Sequence, residues 1–100
     1  MADTYEDLDA FWPFYVRQHS RPATRALHFL GTSLGLACLS VFLALQLAWL
    51  LPLGLGLAYG CAWAGHFLIE RNRPATFRHP WLSIQADLRM YRMMWRGQMW

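Results

Sequence analysis

Between Ala26 and Ile69 the chain runs for 44 residues without an Asp, Glu, Lys or Arg, and no other feature restricts its fold as much. An uninterrupted apolar run of 18 residues already suggests a bilayer-spanning helix, and the hydrocarbon core takes roughly 20 residues at about 1.5 Å each. The stretch is therefore long enough for two spans. The alternative, a soluble bundle with two wholly buried central helices, is poorly served by a chain of 100 residues that is 56% hydrophobic and 16% aromatic. A domain of that size cannot enclose so much apolar surface.

The net charge of +3 comes from nine arginines, with no lysine. Arg17, Arg21 and Arg25 precede the apolar stretch, Arg71, Arg73 and Arg78 follow it, and the turn around Leu51 and Pro52 is uncharged. Basic flanks stay on the cytoplasmic side, which puts both termini there, in a bacterial inner membrane or an ER-like one. Beside a membrane such arginines pair with lipid phosphates, so no nucleic acid is expected. The N-terminus is acidic (Asp3, Glu6, Asp7, Asp9), unlike a cleavable signal. Cys38 and Cys61 fall inside the spans and read as small apolar residues.

Four helical pieces follow from the punctuation. The first covers about 10–18, capped by Asp9, with interfacial aromatics Phe11, Trp12, Phe14 and Tyr15. Ser20 caps the second, about 21–47, which has Pro22 in its first turn. The third covers about 50–71. The fourth, about 80–96, repeats Ile84, Leu88, Tyr91 and Trp95 on one face and Arg89, Arg92 and Arg96 on another, as an interfacial helix does. The fold class predicted is an all-α membrane protein of one domain: a two-span transmembrane helical hairpin flanked by N- and C-terminal interfacial amphipathic helices.

Small residues indicate how the hairpin closes. His28, Gly31, Thr32 and Gly35 share one face, and Gly54, Ala58, Ala62, His66 and Glu70 recur every four residues on the other helix. Such stripes let backbones approach closely in lipid. Facing each other, and with the turn before Pro52, they bring His28 and His66 to the same depth. A second stripe, Gly56, Gly60 and Ala64, points elsewhere and suits a homo-oligomer contact.

All four histidines, His19, His28, His66 and His79, bracket the uncharged stretch and return to one side of such a hairpin. Ionisable groups at bilayer depth are costly and usually functional. His66 and Glu70 lie one turn apart and can share an ion, His28 faces them, and His19 and His79 can complete the set. Imidazoles with a possible carboxylate suit iron(II), zinc or manganese rather than calcium or magnesium. Singly, each histidine is equally compatible with an interfacial anchor.

Tyr15, His19, Pro22, Thr24 and His28 followed by Gly31, and later Gly65, His66, Glu70, Arg73, Pro74 and Ala75, carry a resemblance. From about Phe11 to His79 the chain resembles a membrane family of Fe(II)-dependent 2-hydroxy fatty acid dioxygenases of the phytosphingosine alpha-oxidation type, as a short bacterial-like member. The resemblance implies Fe(II), with zinc the alternative, and a 2-hydroxy fatty acid shortened by one carbon. It implies His19, His28 and His66 as ligands, with Glu70 a ligand or a partner of one. Longer members of that family carry a further histidine between additional spans, whereas this chain has a single hairpin and offers His79, after Arg73, Pro74 and Ala75, as the candidate fourth ligand. Arg25, Arg71, Arg73 or Arg78 suits the substrate carboxylate or a lipid headgroup. Asp87 is placed to orient a histidine or an arginine. Two other classes share much of this sequence pattern: a non-catalytic membrane hairpin with a structural or assembly role, and a zinc-dependent lipid hydrolase.

Overall fold

The computed structural model describes residues 4–100, so Asp3 lies outside it. The described residues form α1 (Leu8–Gln18), α2 (Pro22–Leu45), α3 (Leu50–Ala64) and α4 (Pro80–Trp95), with no strand. Helix α3 continues without interruption into a wider π-helical turn, Gly65–Glu70, and a 3-10 turn, Ala75–Phe77, precedes α4. Helix α2 and the continuous helix Leu50–Glu70 are each long and apolar enough to cross a membrane.

Two helix starts differ from the sequence expectation. The cap of α1 is Asp7, whose carboxylate accepts the Ala10 N–H at 2.9 Å, because the helix already begins at Leu8, packed beside the core. Asp9 sits in the first turn and pairs with Arg89 at 2.9 Å. At the start of α2 it is Glu70 that takes the orphan donors: it accepts the Arg21 N–H at 2.7 Å and the Ser20 hydroxyl at 2.8 Å. Ser20 is thus a donor to the far helix and not the cap of its own.

Helices α2 and α3 pack antiparallel along their small residues. A Cβ on Gly31 would lie 2.8 Å from the Ala58 carbonyl oxygen and from the Cys61 Cβ, and one on Gly35 would lie 3.2 Å from the Gly54 oxygen. Gly54 and Gly65 are equally confined, against Cys38 and Thr24. The chain reverses over residues 46–49, before Pro52, with Gln46 in the left-handed region at φ 57°. Around Gly56 and Gly60 there is open space. Below the histidines the pair is clothed in exposed leucines, among them Leu43, Leu45 and Leu55.

The remaining core lies at the other end. Phe11 and Tyr15 of α1 pack with Ala75 and with Ala86, Met90 and Met94 of α4. The inward face of α4 is therefore Ser83, Ala86, Met90 and Met94, while Ile84 and Leu88, of the apolar repeat expected to face the membrane interface, stay exposed. Bulky α1 rings leave room only for small or adaptable side chains, and methionine conforms to such gaps. Tyr91 joins α4 to α2 through a 2.8 Å hydrogen bond with Ser33.

The close contact sets a sharp contrast between glycines. Gly31→Ala has to push α3 away and is expected to cost about 1–3 kcal/mol. Gly56→Ala and Gly60→Ala enter open space and gain helix propensity, so they should be neutral or stabilising by up to about 1 kcal/mol. Thermal unfolding of the three variants in detergent micelles measures the difference.

Candidate metal centre

His19, His28 and His66 reach one point from three different elements. His19 ends α1, with its N–H bonded to the Val16 carbonyl; His28 lies in the second turn of α2; His66 lies in the π-helical turn. One ring nitrogen from each lies within 4.8 Å of the others, and all three side chains are buried. The rings meet edge to face, with centroids 4.4 Å apart for His19 and His28, 4.6 Å for His19 and His66, and 5.1 Å for His28 and His66. The π-helical turn alters the facing of the side chains it carries, and such turns concentrate at functional sites.

The outward nitrogen of each ring meets an acceptor. His19 Nδ1 donates to the Tyr15 carbonyl at 2.7 Å and His28 Nδ1 to the Thr24 carbonyl at 3.0 Å. His66 Nδ1 lies 2.7 Å from Asn72 Oδ1, while the Asn72 amide donates to the Gln18 carbonyl at 3.1 Å, which fixes the amide orientation. With hydrogens on Nδ1, the neutral imidazoles direct bare Nε2 lone pairs inward. His19 Nε2 and His28 Nε2 stand only 3.0 Å apart, an arrangement that repels unless a cation or a proton lies between them. Histidine ligands of metals are held in this way, with the far nitrogen donating to a carbonyl or carboxamide oxygen.

The hollow lined by the three rings has a volume of about 20 Å³, room for one ion or one water. Metal–nitrogen bonds of about 2.1 Å allow ligand nitrogens to be at most about 4.2 Å apart, so the rings close on an ion with a movement of a fraction of an ångström. The donor set fits a transition metal.

The surrounding bonds hold His19 in place. Tyr15 stacks on its ring at 4.0 Å between centroids, and the Tyr15 hydroxyl donates to Asp87 of α4. Arg25 donates to the His19 carbonyl at 2.6 Å and to the Met99 carbonyl at 2.8 Å. Burial is the main reason the His19 imidazole is pushed down to about 2, and neighbouring His28 adds to it. Burial likewise pushes the Asp87 carboxyl up to about 6 against the opposing Tyr15 hydrogen bond, and raises the Tyr15 phenol.

The other sequence candidates lie elsewhere. His79 packs among the rings of Tyr5, Phe11 and Phe14 at the start of α4, outside the three-histidine group. The Glu70 carboxylate is bonded to Ser20 and Arg21, closing the loop that carries His19. Arg25 is bonded to backbone carbonyls. Arg71 is exposed, with the left-handed φ of 59° that ends the π-helical turn. Arg73 lies over Phe77 at 6.0 Å, and Arg73, Arg78 and His79 border a separate polar hollow. No arginine lines the three-histidine hollow; its polar wall is Thr76, Ser83 and Asp87. Sequence reasoning missed Asn72, which has no helical spacing to His66 because an irregular turn intervenes. The Tyr15 stacking, in contrast, follows from its position four residues before His19 on one helix.

An all-helical chain with a buried three-histidine centre, able to hold a metal at the head of two long apolar helices, is the class defined here. Over residues 5–99 the sequence matches the family described as 2-hydroxy-palmitic acid dioxygenase Mpo1-like, and the chain belongs to that family. No curated protein and no solved structure matches it.

Two outcomes follow. Asn72→Leu, which removes the acceptor from His66, is expected to weaken metal binding about 10–100-fold, whereas Asn72→Asp retains an acceptor and most of the affinity; competition with a chromogenic chelator reads both. Protonation gives a second. The unfolded chain protonates His19 near 6.5 while the fold keeps it neutral, so the unfolded state binds more protons and stability falls as pH drops below that value. Asp87 has the opposite sign between about 6 and 3.8, where the folded state holds the extra proton. The melting temperature of metal-free Asp87→Asn should therefore fall more steeply than that of metal-free wild type between pH 7 and 5.

Proposed function

We propose that the chain is an integral membrane Fe(II)-dependent dioxygenase that shortens 2-hydroxy fatty acids by one carbon. The observation that carries the reading is the inward set of bare nitrogens on His19, His28 and His66, each ring fixed from behind, in a chain of this family. Helices α2 and Leu50–Glu70 would form the transmembrane hairpin, with the histidine end and both termini on the cytoplasmic side, as the flanking arginines favour. The alternation of exposed leucines with confined glycines supports that placement.

His19, His28 and His66 would hold the iron through their inward nitrogens. The ion, when bound, supplies the redox chemistry and orients the bond to be cleaved. The reaction closes without a further reductant: a 2-hydroxy acid and one O2 give the acid one carbon shorter, carbon dioxide and water. The chain's own residues bind and orient. Thr76, Ser83 and Asp87 form the polar wall on which the substrate's carboxylate and 2-hydroxyl would bear once the hollow, with its present room for one ion, widens to admit them. Arg73 and Arg78 lie beside the neighbouring hollow, where they suit a lipid headgroup.

Metal analysis of anaerobically purified protein tests the reading. Wild type should carry close to one iron per chain, and His28→Ala and His66→Ala background levels. Oxygen uptake should follow addition of 2-hydroxypalmitate and not of palmitate. Zinc in place of iron with no oxygen uptake would favour a hydrolase, and no stoichiometric metal would leave a structural hairpin.

A further inference from the structure

A second hollow, apolar and about 340 Å³ in volume, runs along the small-residue seam between α2 and α3. At its upper end it shares the wall residues His28, Tyr59, Ala62 and Asp87 with the three-histidine hollow, so the two adjoin. From there it passes Gly35 and Gly54, where the two backbones touch, to Leu39, Leu50 and Leu51 near the reversal of the chain. Ile84 and Leu88 of α4 flank it, which gives the exposed apolar face of α4 a position against the seam. From His28 to Leu39 the helix rises about 16 Å. The hollow thus has His28 and Asp87 at one end and leucines at the other, with Leu36, Leu39 and Leu51 partly exposed along it.

From this geometry we infer that the seam is the binding site of a single alkyl chain, whose polar head lies at His28 and Asp87 and whose end lies at Leu39, Leu50 and Leu51. The inference rests on the proposed reading for the identity of the head, a 2-hydroxy carboxylate. It goes beyond it in assigning the tail to the protein and not to the surrounding lipid. Adjacency to the histidine hollow, across His28 and Asp87, selects this occupant: a bilayer lipid lying in the seam would have to bring its headgroup to the buried centre. Chain length is then read by the leucines at the far end, since an apolar pocket discriminates about 10-fold or more per methylene.

Two measurements test this, one of them independent of turnover. A 2-hydroxy fatty acid bearing a diazirine on its last carbon, photolysed with the purified protein in nanodiscs, should label residues around Leu36–Leu39 and Leu50–Leu55, and excess 2-hydroxypalmitate should suppress the labelling. Labelling spread over outward leucines such as Leu43 and Leu45, and insensitive to competitor, would mean that the tail lies in bulk lipid and would overturn the inference. If the seam is labelled but wild type consumes no oxygen, the dioxygenase reading fails and the alkyl site stands. The second measurement uses Leu39→Trp and Leu36→Trp, which fill the seam at half-exposed positions, with Leu43→Trp as control. The first two should bind long-chain 2-hydroxy acids at least about tenfold more weakly while keeping affinity for chains about four carbons shorter. An unchanged chain-length profile in both, at wild-type metal content, would refute the assignment.

Discussion

The structure depends on how closely two backbones can approach. Gly31, Gly35 and Gly54 bring α2 and α3 nearly into backbone contact, and Gly65 does the same against Thr24 one level higher. That last contact joins the turn of α2 that ends in His28 to the π-helical turn that carries His66. A larger residue at any of these positions would wedge the helices apart at the level of the histidines or of the seam below them. In a chain with little soluble-type core, van der Waals contact along this seam is the main force registering one long helix on the other.

Given that register, the three-histidine centre is assembled by hydrogen bonds made behind the rings. Two of the three acceptors are backbone carbonyls one helical turn earlier, at Tyr15 and Thr24, so His19 and His28 carry their own orientation with them. The third, Asn72, lies beyond the end of its helix and is held by the Gln18 carbonyl of α1. His66 is therefore oriented only when α1 is docked. The junction of α1 and α2 is fastened at three successive points, Asn72 on the Gln18 carbonyl, Arg25 on the His19 carbonyl and Glu70 on the Arg21 N–H. The centre and the junction of the helices stabilise one another.

Helix α4 connects the two hollows. Its buried methionines and Ala86 fill the space under α1, its Asp87 receives the Tyr15 hydroxyl beside the histidines, and Ile84 and Leu88 flank the seam. One helix thus contributes, through Tyr15, to the support of the His19 ring and to the wall of the proposed alkyl site. Burial of Asp87 raises its carboxyl toward neutrality, a perturbation often found where a polar group is kept at the edge of an apolar site.

Much of this was legible in the sequence. The uncharged stretch specified two long apolar helices, the four-residue recurrence of Gly54, Ala58, Ala62 and His66 specified the packed face, and residues His19, His28 and His66 were candidates for one centre because a reversal before Pro52 brings His28 and His66 level. These are properties of period and of length, which one helix holds by itself. What the tertiary structure decided lies in irregular segments and in contacts between elements. Asp7 rather than Asp9 begins α1, because packing of Leu8 sets the helix start. His79 stands apart from the three histidines, among aromatic rings, because the turn Ala75–Phe77 directs the chain toward α1. Glu70 is taken up by Ser20 and Arg21, Arg25 by backbone carbonyls, and Asn72 supports His66. The inward face of α4 was decided by the rings of α1 it had to fit. Sequence periodicity determines which face of a helix is apolar; only the neighbours determine which of two apolar faces is covered, and which polar groups are left to meet a ligand.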